Sequence, residues 1–278
     1  DLTAAWAELH VRLTFGAPQI ERIVAYGVRL RGELGEDGQL RFGQVDRLLP
    51  EPTGEPFAFP ELDVALHDAQ LFLRTPYGPA TLIVDGEGPL HDGFSGRIGV
   101  VAPQLAVSDC SIRRVRVNAA VRIGSRRPSI DGPMRARRID CGADGLQLAA
   151  PEVALQAVFS EAFDRWGGDG RLRFAALRQG DVAVGRSTGR ADFDGTADGG
   201  TTGFARIESR NLRFEDSRAA LARTRSHFRL REDGIFVLDN DVRLAGARIG
   251  PRRIGGLIET LRQAEGTPLG PVGERLSL

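Results

Sequence analysis

Between Glu61 and Pro89 apolar and polar residues take turns. Leu62, Val64 and Leu66 alternate with Asp63, Ala65 and His67, and Leu71 and Leu73 alternate with Phe72 and Arg74. Thr75 to Pro79 interrupts the run, Leu82 and Val84 resume it, and Gly86 and Gly88 close it. A period of two, broken by turn residues, predicts a β-meander with one apolar face.

The pattern recurs along most of the chain. A first strand over His10–Phe15 puts Val11, Leu13 and Phe15 on one face, and Val24, Tyr26, Val28 and Leu30 mark the next. Glu36-Asp37-Gly38 predicts a hairpin turn into Leu40 and Phe42, since Asp-Gly readily takes positive φ. The Pro-rich stretch from Pro50 to Pro60 reads as a connector and a sub-boundary at 50–60 within one segment spanning 1–278. Phe94, Ile98 and Val100 mark a further strand. Over 111–123, Val115, Val117, Ala119, Val121 and Ile123 face one way, opposite Arg114, Arg116, Asn118 and Arg122. Gly124–Pro128 predicts a turn, Arg135–Cys141 a strand, and Val153, Leu155, Ala157 and Phe159 another. Phe163–Gly170 reads as a tight segment. Leu172 with Phe174 and Val182 with Val184 give short strands, and Asp192–Gly203 a polar loop. From Ala222 to Arg231 one face is wholly Arg and His, which cannot be buried, while Phe228 and Leu230 stand opposite. Phe236, Leu238, Val242 and Leu244 follow. Only Pro251–Ala264 changes period: Ile254, Leu257, Ile258 and Leu261 predict one amphipathic helix with Pro in its first turn and Gly266 past its end.

The expected fold is therefore mostly β, an elongated antiparallel meander curled into a groove, with one helix near the C-terminus. The chain's 278 residues suffice for a core, and 41% hydrophobic with 27% charged residues points neither to disorder nor to a helical membrane bundle. All 37 basic residues are Arg, balanced by 37 Asp and Glu. There is no apolar run of membrane-spanning length and no signal peptide. The opening Asp1-Leu2-Thr3 reads as the start of a fragment. Cys110 and Cys141 fit two buried thiols in a reducing compartment or a cross-strand bridge in an oxidising one.

Candidate chemistry mostly falls away. His67-Asp68 and His91-Asp92 project to opposite faces if in strands and fit strand-end turns. Asp192, Asp194 and Asp198 resemble a calcium loop without its closing Glu. Gly93-Phe94-Ser95-Gly96 lacks the spacing of a nucleophile elbow. There is no phosphate loop or dinucleotide fingerprint, so neither catalytic residue, metal nor cofactor is expected. The Arg clusters at 113–138 and 223–231 suit a solvated face, or contact with anionic headgroups or an acidic partner. With net charge zero and few interleaved aromatics they do not suit nucleic acid. The apolar face offers area without hydrogen-bond anchors, which suits either a closed core or alkyl chains.

The stretches IVAYGVRLRGEL and GQLRFGQVDRLLP, within Ile23–Pro50, resemble the AsmA-like, TamB-related superfamily. The following ELDVALHDAQLFLRTPYGPATLIVDGEGPLHDGFSGRIGVVAPQL is similar to its YdbH branch. The resemblance implies a non-enzymatic part of a bridge-like protein, anchored in the inner membrane of Gram-negative bacteria through an N-terminal segment outside this chain, and crossing the periplasm. It also implies phospholipid acyl chains passing along an apolar β-groove, with outer-membrane or small envelope proteins as partners. Val11, Leu13, Val28, Leu30, Leu62, Val64, Leu66, Leu71, Leu73, Leu82 and Val84 would line that groove. So would Val115, Val117, Val121, Ile123, Val153, Leu155, Phe228, Leu230, Phe236, Leu238, Val242 and Leu244. In the periplasm Cys110 and Cys141 would pair. The rival expectations are an assembly factor of the outer membrane with a closed, dry core, and a carbohydrate-binding or adhesive domain. The latter needs a row of exposed aromatics, which neither Trp6 nor Trp166 joins.

Overall fold

The alternation becomes strand in the computed structural model, which describes residues 2–12, 19–37, 39–43, 58–142, 145–230 and 236–251. Among the described residues twenty strands join a single sheet. β1 (Leu2–Thr3) and β2 (Trp6–Arg12) form one interrupted strand, and β3 (Gln19–Tyr26) and β4 (Arg29–Leu34) form the next, antiparallel to it. β5 (Leu40–Arg41) turns back on β4 as the Asp-Gly signal predicts. β3 and β4 then pair in parallel with β6 (Asp63–Arg74). The sheet is therefore mixed, not wholly antiparallel. A parallel step needs a crossover of a dozen or more residues. The Pro-rich connector supplies that length, and nothing in a strand's own alternation records its direction.

From β6 onward every pairing between strands is antiparallel. β7 (Ala80–Pro89), β8 (Ser95–Val107) and β9 (Cys110–Gly124) are long and unbroken. β10 (Arg127–Arg135) and β11 (Arg138–Cys141) then share β9, and β12 (Leu146–Ala149) with β13 (Glu152–Phe159) returns alongside. β14 (Arg165–Phe174) with β15 (Ala176–Gln179), and β16 (Val182–Val184) with β17 (Ser187–Thr196), repeat the divided form. β18 (Gly200–Phe214), β19 (Ser217–Leu230) and β20 (Phe236–Ala245) complete the sheet.

Three local expectations are corrected. Asp192–Gly203 is not a loop: it holds the end of β17, a tight turn and the start of β18, with exposed Asp192 and Asp194 alternating with half-buried Phe193 and Gly195. Asp and Gly are turn formers, but here they occupy the outward and inward positions of a strand. Residues 127–135 form β10, starting within the turn expected at 124–128. Pro128 and Pro133 lie inside it; Pro133 has no partner on β9 and pairs with Ala154 of β13. The segment expected to be tight after Phe163 extends from Arg165 as β14. Leu13 and Phe15, and the helix expected at 251–264 beyond Pro251, lie outside the described residues.

A line of kinks crosses the sheet at one level. Arg114, Ala150, Asn211 and Gly246 have φ of 53°, 48°, 56° and 62°. Ala136-Arg137 separates β10 from β11, Ala175 separates β14 from β15, and Gly185-Arg186 separates β16 from β17. The irregular residues still pair across the line. Arg137 N donates to Arg113 O at 2.8 Å, Ala150 N to Arg137 O at 2.9 Å, and Gly185 N to Arg210 O at 2.8 Å. The inward phase slips here: on β19 both Ala222 and Ala219 are buried, three residues apart, where regular alternation needs an even step. A second line crosses the first strands at Gly27 and Asp68, with φ of 61° and 51°. His67-Asp68 is thus a mid-strand kink and not a strand-end turn. Arg29 fixes it through a bond from Nη2 to Asp68 Oδ2 at 2.7 Å, and that bond holds the Asp68 carboxyl below its ordinary pKa.

The buried core is small. Val64, Phe94 and Ile123 form its cluster, with Ile23, Phe59, Leu62, Leu90 and Val121 packed against it. Elsewhere among the described residues the buried apolar ones are alanines, and the largest fully buried side chain there is Ser187.

Candidate functional site

Directly paired residues on adjacent strands share a face, so the register turns alternation into rows across the sheet. One row runs Leu2, Leu30, Leu71, Leu82, Val100, Val117, Met134, Val153, Leu172, Gly189, Ile207, Thr224 and Val242. At ~4.8 Å per step it is on the order of 55–60 Å long. A parallel row runs Leu66, Gly86, Gly96, Val121, Ile130, Ala157, Gly168, Phe193, Gly203 and Phe228. Between them lie Val84, Ile98 and Ala119 on one side and Leu155, Gly170, Ala191 and Ala205 on the other. Large and small apolar residues thus alternate with glycines over the whole face.

Aromatic rings lie over glycines on this face. A Cβ on Gly203 would meet the Phe228 ring at 2.3 Å, and one on Gly195 the Trp166 indole at 2.2 Å. A flat ring covers backbone that a glycine leaves bare, and keeps the relief of the face low.

Several polar groups on this face bond to each other. Ser187 Oγ donates to Ser209 Oγ at 2.8 Å, Ser226 Oγ to Asn240 Oδ1 at 2.5 Å, and Trp166 Nε1 to Thr201 Oγ1 at 3.0 Å. These groups are not directional anchors for a ligand. Beyond the crease, Leu212, Phe214, Ala219, Leu244 and Ile249 line an apolar hollow of about 330 Å³. The face is half-exposed along its length: Met134 is 42% exposed and Val242 51%.

The residues expected to line a groove fall into four groups. Leu30, Leu66, Leu71, Leu82, Val84, Val117, Val121, Val153, Leu155, Phe228 and Val242 lie in these rows, and Leu73 continues the face one step along β6 from Leu71. Val115 pairs with the buried Ala102 beside the crease, Val28 sits in the kink after Gly27, and Leu244 lines the hollow. Leu62, Val64 and Ile123 belong instead to the core cluster, where other side chains cover them. Val11 is exposed beyond a bulge in β2, Leu230 is exposed at the end of β19, and Phe236 and Leu238 pair through their backbones with Leu230 and Phe228. On β3 the inward residues are Ile23 and Ala25, paired with Val64 and Leu66, and Tyr26 stacks outward on His67 at 4.5 Å. Val100, Met134, Leu172 and Ile207 were not among the expected lining residues. Only Val100, Leu172 and Ile207 carried an alternation signal, whereas Met134 followed Gly-Pro, which resembles a turn.

The opposite face is charged. Glu152 Oε2 accepts from Arg173 Nη2 at 2.6 Å and from Arg135 Nε at 2.8 Å, tying β14 and β10 through β13. Arg173 and then Arg135 hold the Glu152 carboxyl below its usual range, against burial, which pushes the other way. Cys110 and Cys141, directly paired on β9 and β11, are joined by a disulfide. Among the described residues no group of three or more His, Cys, Asp or Glu is placed to hold a metal, and no helix is long and apolar enough to cross a membrane. The chain matches no family model, no curated protein and no solved structure.

Proposed function

We propose that the chain is a segment of a periplasmic, bridge-like protein that carries phospholipids between the inner and outer membranes along its apolar face, without catalysis. The carrying observation is the row from Leu2 to Val242, apolar at nearly every step and only half-buried. An acyl chain in water costs ~0.8 kcal/mol per CH₂. A continuous apolar path lowers that cost at every position, and because it offers few hydrogen-bond anchors it holds a tail nowhere in particular. Low relief serves sliding for the same reason. The headgroup stays in water at the sheet's margin. A disulfide on the rim agrees with an oxidising compartment.

The test uses Met134, whose 42% exposure makes it replaceable without a core penalty. Phospholipid should copurify with the chain by native mass spectrometry, and Met134→Glu should reduce it several-fold at an unchanged melting temperature. Arg116→Glu, on the other face, should not. Absence of lipid from the unaltered chain purified without detergent would favour a structural role in outer-membrane assembly.

A further inference from the structure

The charged face carries a row of its own. Arg171, Arg190, Arg206 and Arg225 stand directly opposite one another on β14, β17, β18 and β19. All are exposed. At ~4.8 Å per strand the row is roughly 14 Å long. Like charges directly opposed across strands repel. Elsewhere on this face the repulsion is relieved by carboxylates: Glu152 takes Arg135 and Arg173, and Glu208 takes Arg223 at 3.3 Å. Among the described residues none of the row's arginines has an ion pair: Arg225 stands opposite Asp241, which pairs instead with Arg243 at 3.7 Å, and Arg206 faces the Phe204 ring at 5.2 Å. Asp169 and Asp192 stand two residues along their strands but oppose each other.

The row lies in a cleft of about 970 Å³, lined by Arg171, Arg173, Arg190, Arg206, Arg223 and Arg225 together with Glu152, Asp169, Asp192 and Glu208. A twisted sheet is saddle-shaped, so its charged face is hollow along one diagonal. We propose that this cleft binds a multiply charged, phosphate-bearing anion laid across β14, β17, β18 and β19. Guanidinium forks match phosphate oxygens. A phosphate has three free oxygens, enough to bridge forks one strand apart, and several linked phosphates match the length of the row. The phosphates could belong to a lipid headgroup or to a soluble polyphosphate. The site lies on the face opposite the apolar rows and stands or falls apart from the lipid-carrying role.

Inorganic tripolyphosphate titrated into the chain by calorimetry at low salt tests this. Binding should weaken as salt rises and should fall at least tenfold in the Arg190→Gln/Arg206→Gln double variant. It should be unchanged in Arg97→Gln/Arg116→Gln, which removes the same charge from the same face outside the row. Arg225→Gln alone should show an intermediate loss, with melting temperatures confirming the fold of each variant. No binding by the unaltered chain, or equal loss in both double variants, would overturn the site. Sedimentation with phosphatidylcholine vesicles, with and without phosphatidic acid, separates the sources. Row-dependent binding to the anionic vesicles assigns a headgroup, and tripolyphosphate binding without vesicle binding assigns a soluble anion.

Discussion

Glu152 shows how single residues hold a sheet with little core. Its carboxylate joins two arginines from the strands flanking its own, and both pull its pKa below the ordinary 4.5. A carboxyl depressed in the folded state stabilises above its ordinary pKa, and that contribution fades as pH falls through the lowered value. Glu152→Gln should therefore lower stability by at most ~1 kcal/mol at neutral pH, the arginines being largely exposed. The gap from the unaltered protein should close in acid; thermal melts at pH 7 and pH 3 check it, and a gap that widens in acid would contradict the assignment. Gly203 makes the complementary point. A methyl there would meet the Phe228 ring at 2.3 Å and the backbone oxygen of Asp192 at 2.4 Å. Gly203→Ala should cost about 1–3 kcal/mol by denaturant unfolding. The sequence marks Phe228 as apolar and inward, but nothing local pairs it with Gly203, because that contact depends on register between strands.

At the scale of elements, alternation made the long strands legible. β9 shows its Val and Arg faces as expected from Val115 to Ile123, and β19 exposes Arg223, Arg225, His227 and Arg229. The kinks were not legible. Positive φ at Arg114 and Ala150 occurs without the glycine that normally announces it, because the two hydrogen-bonded flanks impose it. β10 and the Asp192–Thr196 stretch were hidden by turn-forming residues serving as strand residues. The crease yields a prediction: Ala150→Val, a β-branched residue at φ 48°, should destabilise by ~1–2 kcal/mol, and Ala150→Gly should be tolerated. Chemical denaturation of both variants decides it; equal effects would mean the left-handed turn is not required. The disulfide spans 31 residues and joins the ends of β9 and β11 away from the crease. Loop-closure entropy puts its contribution near ~3–4 kcal/mol, less whatever the paired strands already hold. Cys110→Ser should lower the melting temperature in oxidising buffer, and an unchanged value would show that the bond does not form in solution.

For the whole molecule, the one-sided character of the sheet was legible, since period two along strands already separates oily from charged residues. Two features were not: the parallel step onto β6, and the alignment of so many strands that one apolar row crosses nearly all of them. Register is a property of pairs, and a single strand does not record it. That alignment is what the proposed role requires, because a path for acyl chains depends on rows across strands and not on any one strand. The most direct measurement places a photoreactive residue at Met134 and, separately, at Arg206, and irradiates the chain in its native lipid. The account predicts acyl-chain adducts at Met134 and none at Arg206. Adducts at neither position, or equally at both, would contradict it.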